Sequence, residues 1–516
     1  MKRPSTLFAA LVVAALAPAT SALASPVVVV DGARHTVVDD PTLPATHDLP
    51  APPAAGCETP VRSAAAPRSA RGSATRGPTV PRALRIALRK RAITQEEHDH
   101  YRAVYSGARS AKRALSGRRS LELGSVIATL ERIAREKQLF SSRMPALFLQ
   151  LRRNTEFWRA QDFPSAPPSA APEPCQRPSS GVGGARVTFP GSAMVFQYYP
   201  GNGLQLQPLA NFGKANGLYN ACVKPSGTVP CKMDELRALL DEMLETASRR
   251  GNFTAWEYFF QFGGGTPPWA SGLAQGTGIQ ALARAAKLLD EPRYLKAARS
   301  AVGLFEARTP LGVRLPLKGG NHYLIYSFDP GLQVLNGFLQ ALNGLHDYAK
   351  LSGDARALAL FRSGDRRARI EVPMFDTGAW SLYARRGRES SLDYHRLVRD
   401  FMNGLCDRTK ASTYCETTER FSRYLREPPR VTFVGATGVK VRKPAKLRLL
   451  LSKVSCVTVT IRDEVGAQVF STRIKLPYGN RFFSWTPSKK GDYSVTLNAL
   501  DPRRNEGATA GVVRVR

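Results

Sequence analysis

The chain has 516 residues and a formal net charge of +33, because 74 lysines and arginines stand against 41 aspartates and glutamates. One hydrophobic core rarely serves a chain of this length, so the length argues against a single globular unit and predicts two or three domains. The basic excess favours association with anionic polymers.

A secretory signal is predicted at residues 1–24. Lys2 and Arg3 supply its basic start, an apolar stretch runs from Leu7 to Ala17, and small residues at 22–24 form a cleavage site. No apolar run reaches the roughly 18 to 20 residues that span a bilayer. We expect a secreted or envelope-associated chain without a transmembrane segment in its mature form; an uncleaved amino-terminal anchor is the alternative. Its partner would then be an anionic polysaccharide or cell-wall polyanion, with no nucleic acid.

The seven cysteines of an exported chain lie in an oxidising setting. Two pairs share the same separation and predict short-loop disulfides: Cys222 with Cys231, and Cys406 with Cys415. The remaining three are Cys57, Cys175 and Cys456, an odd number, so at least one thiol is free or intermolecular. No C-x2-C pair lies beside histidines, so no metal site is predicted.

Changes in composition divide the first part of the chain. Residues 25–81 are rich in Ala, Pro, Ser, Arg and Gly without apolar periodicity and predict a disordered linker. Residues 82–162 carry apolar residues at helical spacing and predict a helical region. Residues 163–184, again rich in Pro, Ser and Ala, predict a second linker.

The segment 185–427 begins with alternating apolar residues up to Tyr199, and the turn residues 200–203 then predict a strand pair. Amphipathic helical patterns follow at Met233 to Arg249, Ser271 to Leu289, Pro292 to Glu306, Leu335 to Ser352 and Ala355 to Ala368. Helices joined by short loops pack into bundles or toroids. From residue 430 to 516 the apolar period becomes two, which predicts an antiparallel β-sandwich of the immunoglobulin-like type, to which we assign no catalysis.

Four blocks of residue types that are unusual in a helical core stand out. They are WASGLAQG (Trp269 to Gly276), HYLIYSFDPGLQVLNGF (His322 to Phe338), MFDTGAWSLYARRG (Met374 to Gly387) and LDYH (Leu392 to His395). In this order they resemble the C-terminal domain of the D-glucuronyl C5-epimerases, over roughly residues 186–427. The resemblance implies an enzyme that inverts C5 of a uronic acid within a polysaccharide. It also implies an α/α toroid, an incomplete barrel, so the fold class is a multidomain α plus β chain in which this toroid follows a short β element and precedes the sandwich.

Such a reaction removes the C5 proton beside a carboxylate and returns a proton to the opposite face, so it needs a cation and proton carriers on both faces. A tyrosine can carry the proton if a cation lowers its pKa from about 10. The resemblance aligns Tyr326, Tyr383 and Tyr394 with the catalytic tyrosines of the family. Arg385 and Arg386, which closely follow Tyr383, are expected to supply the cation.

Other candidates lie in the same blocks. His395, beside Tyr394, is a catalytic candidate, or alternatively a hydrogen-bonded helix residue. The residues predicted to contact substrate are Arg386, Gln275, Asn336 and His322. Gln275 and Asn336 fit a contact between helices equally well. Neither a metal nor an organic cofactor is predicted, since the chain has no nucleotide motif or phosphate loop.

The chain departs from the family at Ile325, where characterised members carry an acidic residue. Loss of a general base typically costs roughly 10² to 10⁴ in rate. Either the activity is weak or a nearby group substitutes, for which His322, Asp329 and His395 are candidates. Two alternatives therefore stay open: a uronate polysaccharide lyase, and a non-catalytic acidic-glycan or cell-wall binding protein on the same scaffold.

Overall fold

A computed structural model describes residues 25–44, 77–162, 173–175, 184–225 and 229–516. The predicted signal segment, Cys57 and most of both predicted linkers lie outside these residues. Within the described ranges, none of the helices combines the length and apolar character that a membrane span requires.

A β-hairpin lies where the sequence predicts a disordered linker at residues 25–81. Ser25–Asp31 (β1) and Arg34–Asp40 (β2) pair antiparallel, and β1 also pairs in parallel with Arg186–Thr188 (β3). Three of the four consecutive valines of β1 are buried. The prediction is wrong here because a run this short shows no periodicity, and its stabilising partner is a distant strand.

The sheet is completed by Phe196–Tyr199 (β4) and Gly203–Leu206 (β5), in the order β2-β1-β3-β4-β5. β4 and β5 pair antiparallel around residues 200–203, which confirms the predicted strand pair and turn. Every residue of β4 and β5 is buried. The β4–β5 side of the sheet therefore lies inside the molecule, whereas β2 forms an exposed edge.

The predicted helical region is packed against this sheet. Its helices are Val80–Arg89 (α1), Gln95–Ala114 (α2), Gly117–Arg135 (α3) and Met144–Ala160 (α4). Thr94 and Glu97 form a capping box at the start of α2. Glu122 of α3 ties the region to the β4–β5 turn, because its carboxylate accepts hydrogen bonds from the backbone N–H groups of Gly201 and Gly203.

The helices described between residues 208 and 424 form the largest part of the core. They are Pro208–Val223 (α5), Met233–Glu245 (α6), Gly272–Leu288 (α7), Pro292–Ala301 (α8), Gly303–Glu306 (α9), Leu335–Ser352 (α10), Ala355–Glu371 (α11), Leu392–Thr409 (α12) and Ser412–Tyr424 (α13). α7 and α10 are the most completely buried. They approach to backbone contact, since a Cβ on Gly344 would lie 2.1 Å from the carbonyl oxygen of Gly276. A glycine near the start of α7 and one near the middle of α10 thus allow the two helices to cross closely.

The structure adds three helices that the sequence patterns did not predict, α5, α12 and α13, and it changes the limits of three that they did. The helix expected at Ala355 to Ala368 extends to Glu371. The helix expected at Met233 to Arg249 ends at Glu245, and the one expected at Pro292 to Glu306 is divided into α8 and α9. Short strands connect the helices: Ser248–Arg250 (β6), Phe253–Ala255 (β7), Glu257–Tyr258 (β8), Trp269–Ala270 (β9), Arg314–Leu317 (β10) and Gly320–Tyr323 (β11). They pair two by two as β6 with β7, β8 with β9 and β10 with β11.

The carboxyl-terminal module, residues 430–516, consists of two antiparallel sheets around one core. Its strands are Val431–Gly435 (β12), Ala445–Leu451 (β13), Ser455–Arg462 (β14), Gln468–Leu476 (β15), Gly479–Trp485 (β16), Gly491–Leu500 (β17) and Glu506–Val515 (β18). The sheet orders are β12-β13-β16 and β15-β14-β17-β18. Both sheets contribute to one apolar cluster that includes Leu447, Val459 and Trp485. The mixture of helical and β structure is confirmed, while closure of the helices into a toroid and the immunoglobulin-like type of the module stay predictions.

Both predicted short-loop disulfides are confirmed, Cys222 with Cys231 and Cys406 with Cys415. A third joins Cys175 to Cys456 across 281 residues of sequence. Spacing did not indicate this pair, because only the folded chain brings residues 173–175 beside β14. It connects the carboxyl-terminal module to a segment that precedes the β3 strand.

Candidate functional site

The three tyrosines of the separate blocks converge in one cluster. The Tyr383 and Tyr394 rings lie edge to face with their centroids 4.9 Å apart. The phenol of Tyr383 is close enough to those of Tyr326 and Tyr394 for each to influence its pKa. Tyr326 is buried and the other two are half-buried, so the cluster extends from the interior to the surface. The structure therefore brings together the three residues that the resemblance aligned with catalytic tyrosines.

Tyr326 is fixed by the backbone on both sides. Gly272 N donates to the carbonyl of Leu324 at 3.1 Å, and Ser327 N donates to the carbonyl of Ala270 at 2.9 Å. The Ser327 hydroxyl in turn accepts from Ala270 N at 3.1 Å. The WASG block thus serves as the backbone frame of Tyr326, a role that its residue types did not reveal.

Tyr383 belongs to the tyrosine loop, residues 376–391, which joins α11 and its final 3-10 turn to α12. Its backbone N–H donates to the carbonyl of Arg388 at 2.9 Å, and its own carbonyl accepts from Leu335 N at 3.4 Å. Tyr394 lies in the first turn of α12, where the Ser391 hydroxyl caps the helix by accepting from Tyr394 N at 3.3 Å. The loop and the helix start together place both rings beside Tyr326.

Three aromatic rings pack around Tyr326. Its ring centroid lies 5.4 Å from that of Phe262, 5.7 Å from that of Trp269 and 5.5 Å from that of Phe328. Burial in these surroundings raises the pKa of Tyr326 well above 10, and the neighbouring phenols raise it further. Tyr326 is accordingly a phenol that stays protonated and can donate.

The environment of Tyr383 is less one-sided. Burial is the largest influence and raises its pKa above 10, and Tyr326, the charge of Arg388 and Tyr394 offset only part of that rise. The sequence led us to expect this cation from Arg385 and Arg386, which is a correction: the loop turns so that Arg388, whose carbonyl pairs with Tyr383 N, is the arginine that acts on the phenol.

Arg386 lies at the surface instead. Its backbone is in the left-handed region at φ 57°, and its side chain is exposed. With Gly331, Gln333 and Arg385 it lines a shallow depression beside the loop. Its role in substrate binding stays a prediction, since a surface arginine at this place is free to meet an anionic ligand.

His395 is not placed to act on a substrate, which corrects its assignment as a catalytic residue. Its ring is fully buried and stacks on Trp380 with centroids 3.9 Å apart. Nδ1 accepts from the Ser381 hydroxyl at 2.8 Å, and Nε2 donates to the carbonyl of Phe421 at 3.0 Å. Burial lowers the pKa of His395 to about 4, because the charged ring would lose its hydration. The neutral ring therefore connects the tyrosine loop, α12 and α13.

The remaining polar candidates are also buried. Gln275 Nε2 donates to the carbonyls of Thr254 and Ala301, both at 2.8 Å, so its predicted contact with substrate is wrong and the alternative, a contact between elements, holds. Asn336 is 2% exposed. Its Oδ1 accepts from Gly337 N at 2.9 Å, which places it inside the α10 start rather than at a surface.

His322 is likewise an interior residue. Its ring is fully buried, Nδ1 lies 2.8 Å from Glu371 Oε2, and the ring centroid is 4.2 Å from that of Phe338. Arg367 donates to the other oxygen of Glu371. A charged network on α11 therefore holds His322, and the predicted contact with substrate is not supported by its position.

Ile325 occupies the place of the family's acidic residue and packs into the interior. Its side chain is 1% exposed, and a Cβ on Gly337 would lie 2.8 Å from the Ile325 Cβ. The largest influences on the pKa of Tyr326 and Tyr383 come from burial, from other tyrosines and from Arg388; no carboxylate is among them. Of the three candidates to replace the missing acid, His322 and His395 are buried and Asp329 is half-buried. Asp329 Oδ1 accepts a hydrogen bond from Gly331 N at 3.0 Å within a turn.

Sequence reasoning missed Tyr199, a tyrosine from outside the blocks. Its hydroxyl accepts from Gln207 Nε2 at 2.5 Å, and Gln207 Oε1 accepts from the Tyr258 hydroxyl at 2.8 Å. Tyr199 is also close enough to raise the pKa of Tyr326. No pattern along the chain could have linked β4 to Tyr326, because the contact is purely tertiary.

Among the described residues, no group of three or more His, Cys, Asp or Glu side chains is arranged to hold a metal ion.

Comparisons with known proteins concentrate on this part of the chain. Residues 250–423 match the family model described as D-glucuronyl C5-epimerase C-terminus. The chain is 32% identical over 178 residues to the D-glucuronyl C5-epimerase of Caenorhabditis elegans, covering 31% of this chain and 29% of that protein. It is 28% identical over 180 residues to an uncharacterized protein of Methanocaldococcus jannaschii, covering 34% and 58% respectively. The match thus spans less than two thirds of either relative.

Solved structures with a partial likeness include the cellobiose 2-epimerase of Bacillus thermoamylovorans, with 11% identity over 44% of this chain and 62% of that one, at a TM-score of 0.33. A sugar epimerase from a ruminal bacterium shows 11% identity over 43% and 60%, at a TM-score of 0.32. The sequence match is the more specific result, and it contains all four blocks and the tyrosine cluster. Over residues 250–423, the chain is similar to the D-glucuronyl C5-epimerase C-terminal domain family.

Proposed function

We propose that this protein is a carbohydrate epimerase that inverts C5 of uronic acid residues in an acidic polysaccharide. The observation that carries the proposal is the close cluster of Tyr326, Tyr383 and Tyr394 inside the matched domain. Phenols on separate elements can flank one sugar ring, and they can both remove and return a proton. The positive charge of the chain suits an anionic polymer.

Tyr383 is the base in this proposal. Two neighbouring phenols and the positive charge of Arg388 each stabilise its phenolate and offset part of the rise in pKa that burial causes. The phenolate takes the C5 proton, and the electron pair moves into the adjacent carboxylate as an enediolate. Arg388 and the exposed Arg386 would offset the charge that develops there.

Tyr394 or Tyr326 returns the proton. Tyr394 is half-buried and touches Tyr383, while Tyr326 is held protonated by burial. If Tyr394 donates to the opposite face of C5, it becomes a phenolate and Tyr383 a phenol. A proton then passes from Tyr383 to Tyr394, directly or through solvent, before the next turnover in the same direction, or the enzyme catalyses the reverse reaction from the new state. No external oxidant or reductant takes part.

A non-catalytic acidic-glycan binder is the second candidate, and Ile325 favours it. A buried isoleucine stands where the family has an acid, and no carboxylate is among the largest influences on the tyrosines. Such a protein would retain the arginines and bind the polymer without exchanging the C5 proton. Its binding would weaken strongly with salt.

We also propose that the chain is exported and acts outside the cell or at its envelope. Three disulfides among the described residues support this, since such bonds persist in oxidising compartments. The anionic partner would then be a polysaccharide or cell-wall polyanion.

One experiment separates the candidates. The purified full chain is incubated with glucuronate-containing polymers in heavy water, and deuterium at C5 is followed by NMR while ultraviolet absorbance reports unsaturated chain ends. Deuterium at C5 that depends on Tyr383 supports the epimerase. Unsaturated ends would indicate a lyase, and salt-sensitive binding without exchange would indicate the binder; either result contradicts the proposal.

A further inference from the structure

The tyrosine loop is attached to the carboxyl-terminal module through one buried carboxylate. Glu389 Oε1 accepts from Val454 N at 2.7 Å, and Glu389 Oε2 accepts from Tyr478 N at 2.8 Å. Val454 precedes β14 and Tyr478 lies in the turn between β15 and β16, so the two oxygens hold two different turns of the module. Glu389 is 7% exposed.

The same carboxylate lies directly behind Tyr383. Glu389 is the bridge partner of Leu382, and its neighbour Arg388 accepts from Tyr383 N at 2.9 Å. The next residue, Ser390, donates its N–H to the carbonyl of Ser381 at 2.8 Å. A movement of Glu389 would therefore pass through the paired backbone to the residue that carries the phenol.

A second connection reaches Tyr394 from the module. The ammonium of Lys453 lies 5.4 Å from the centre of the Trp380 ring, and its Nζ also donates to the carbonyl of Tyr424 at 2.7 Å and to Asp501 at 3.0 Å. Trp380 donates to the carbonyl of Ser390 at 2.9 Å and stacks on His395, the residue after Tyr394. Both phenols that approach the surface are thus backed by contacts with the module.

A third connection uses the segment 173–175. Glu173 Oε1 accepts from Leu392 N, the first residue of α12, at 2.8 Å, and its Oε2 lies 3.0 Å from Lys475 Nζ of β15. The disulfide of Cys175 with Cys456 joins the same segment to β14. The start of the helix that carries Tyr394 is tied to the module on this side as well.

We infer that the carboxyl-terminal module is part of the scaffold of the tyrosine site, and that Glu389 is a positioning residue that sets the place of Tyr383. This rests on the proposed function for what the site does, but the attachment itself does not. A loop with exposed arginines and no regular structure would otherwise sample many conformations. Two hydrogen bonds to one buried carboxylate restrict it at the point where the phenols must meet.

The test compares Glu389→Gln with the matched control Glu464→Gln in the full chain. Glu464 also accepts a backbone N–H of the module, that of Asp492 at 2.8 Å, but it is exposed and its bond stays within the module. In Glu389→Gln the amide accepts one N–H and turns its own NH₂ group toward the other. Hydrogen exchange of the amides of Tyr383 and Ser390 should accelerate about tenfold or more in this variant, and neither should change in the control.

Activity supplies a second readout. For a displaced base, kcat for C5 deuterium incorporation should fall on the order of 10²-fold while KM changes little, because the exposed arginines are retained. A merely structural loss would instead lower the folded fraction and accelerate exchange in α7 and α10 as well. Loop exchange equal to that of the parent, or a rise in KM with kcat retained, would overturn the inference.

A milder variant covers the case in which Glu389→Gln fails to fold. Lys475→Gln removes the ion pair with Glu173 at a partly exposed position. It should accelerate exchange of the Leu392 amide with a smaller loss of kcat, and unchanged exchange there would count against the scaffold role. If the parent itself shows no C5 exchange, the proposed function fails, and the amide measurements still decide whether the module holds the loop.

Discussion

Tyr326 is held by the interior of the matched domain, whereas Tyr383 and Tyr394 are held at its surface by a loop, a helix start and the carboxyl-terminal module. Around Tyr326 are aromatic rings and backbone bonds from the WASG block. Around Tyr383 are Arg388, two phenols and the carboxylate of Glu389 behind it. Burial raises the pKa of both phenols, and only at Tyr383 do a cation, Arg388, and the neighbouring phenols offset part of that rise. Tyr383 is thus the easier of the two to ionise.

The largest expected effect comes from removing the hydroxyl of Tyr383, the proposed base. In Tyr383→Phe the ring and its packing remain, and the acceptor oxygen is lost. The rate of C5 deuterium incorporation should fall roughly 10³-fold, with polymer binding unchanged. Tyr348→Phe is the control, since that tyrosine is buried in α10 and bonds Asp354 away from the cluster. Full activity in Tyr383→Phe would remove it from the mechanism.

A charged side chain at the buried position 325, beside Tyr326, should destabilise the protein. Ile325→Glu restores the family's residue type at a position that is 1% exposed and packed against Gly337. Without a partner for the carboxylate, we expect a loss of about 3 kcal/mol in the free energy of unfolding, measured with denaturant. Ile325→Leu should cost less than about 1.5 kcal/mol. A stable, more active glutamate variant would show that the interior accommodates the acid and that the wild type lacks only this group.

The contacts of His395 with the tyrosine loop and α13 should stabilise the folded protein less in acid. The pKa of His395 is about 4 in the folded chain against an ordinary 6.5, so the neutral ring is favoured by folding. Its stabilisation is complete above pH 6.5 and is lost as the pH falls from 6.5 to 4, by about 3 kcal/mol. The slope of unfolding free energy against pH in this window should flatten in His395→Gln. An equal slope in both proteins would contradict the assignment of this titration to His395.

The smallest expected effect concerns the cation beside Tyr383. Arg388→Gln removes a charge that lowers the pKa of that phenol, so the pKa rises and activity should need a higher pH. Because Arg388 is exposed, the shift in the pH profile of kcat should be below about one unit. Arg386→Gln should instead raise KM and leave the profile in place. A reversed pattern would return the role to Arg386, as the sequence first suggested.

The residues of the site could be predicted in part. Tyr326, Tyr383 and Tyr394 were identified from block order alone, and both short-range disulfides from spacing, because these signals are local or carried by a family pattern. His395, Gln275, Asn336 and His322 were assigned from the same blocks, yet each is buried and serves packing or a hydrogen-bonded network. A polar residue in a block shows that a polar partner is needed, but not whether that partner is a ligand or the backbone.

The amino-acid sequence alone indicated the helical patterns between residues 233 and 371, the change to period two, the two local cysteine pairs and the family that residues 250–423 resemble. These depend on neighbours along the chain. Only the tertiary structure decided that Arg388 rather than Arg386 acts on Tyr383, that Tyr199 approaches Tyr326, and that Glu389 joins the tyrosine loop to the carboxyl-terminal module. Burial and electrostatic shifts depend on distances between atoms from segments far apart in sequence, and no periodicity records those distances.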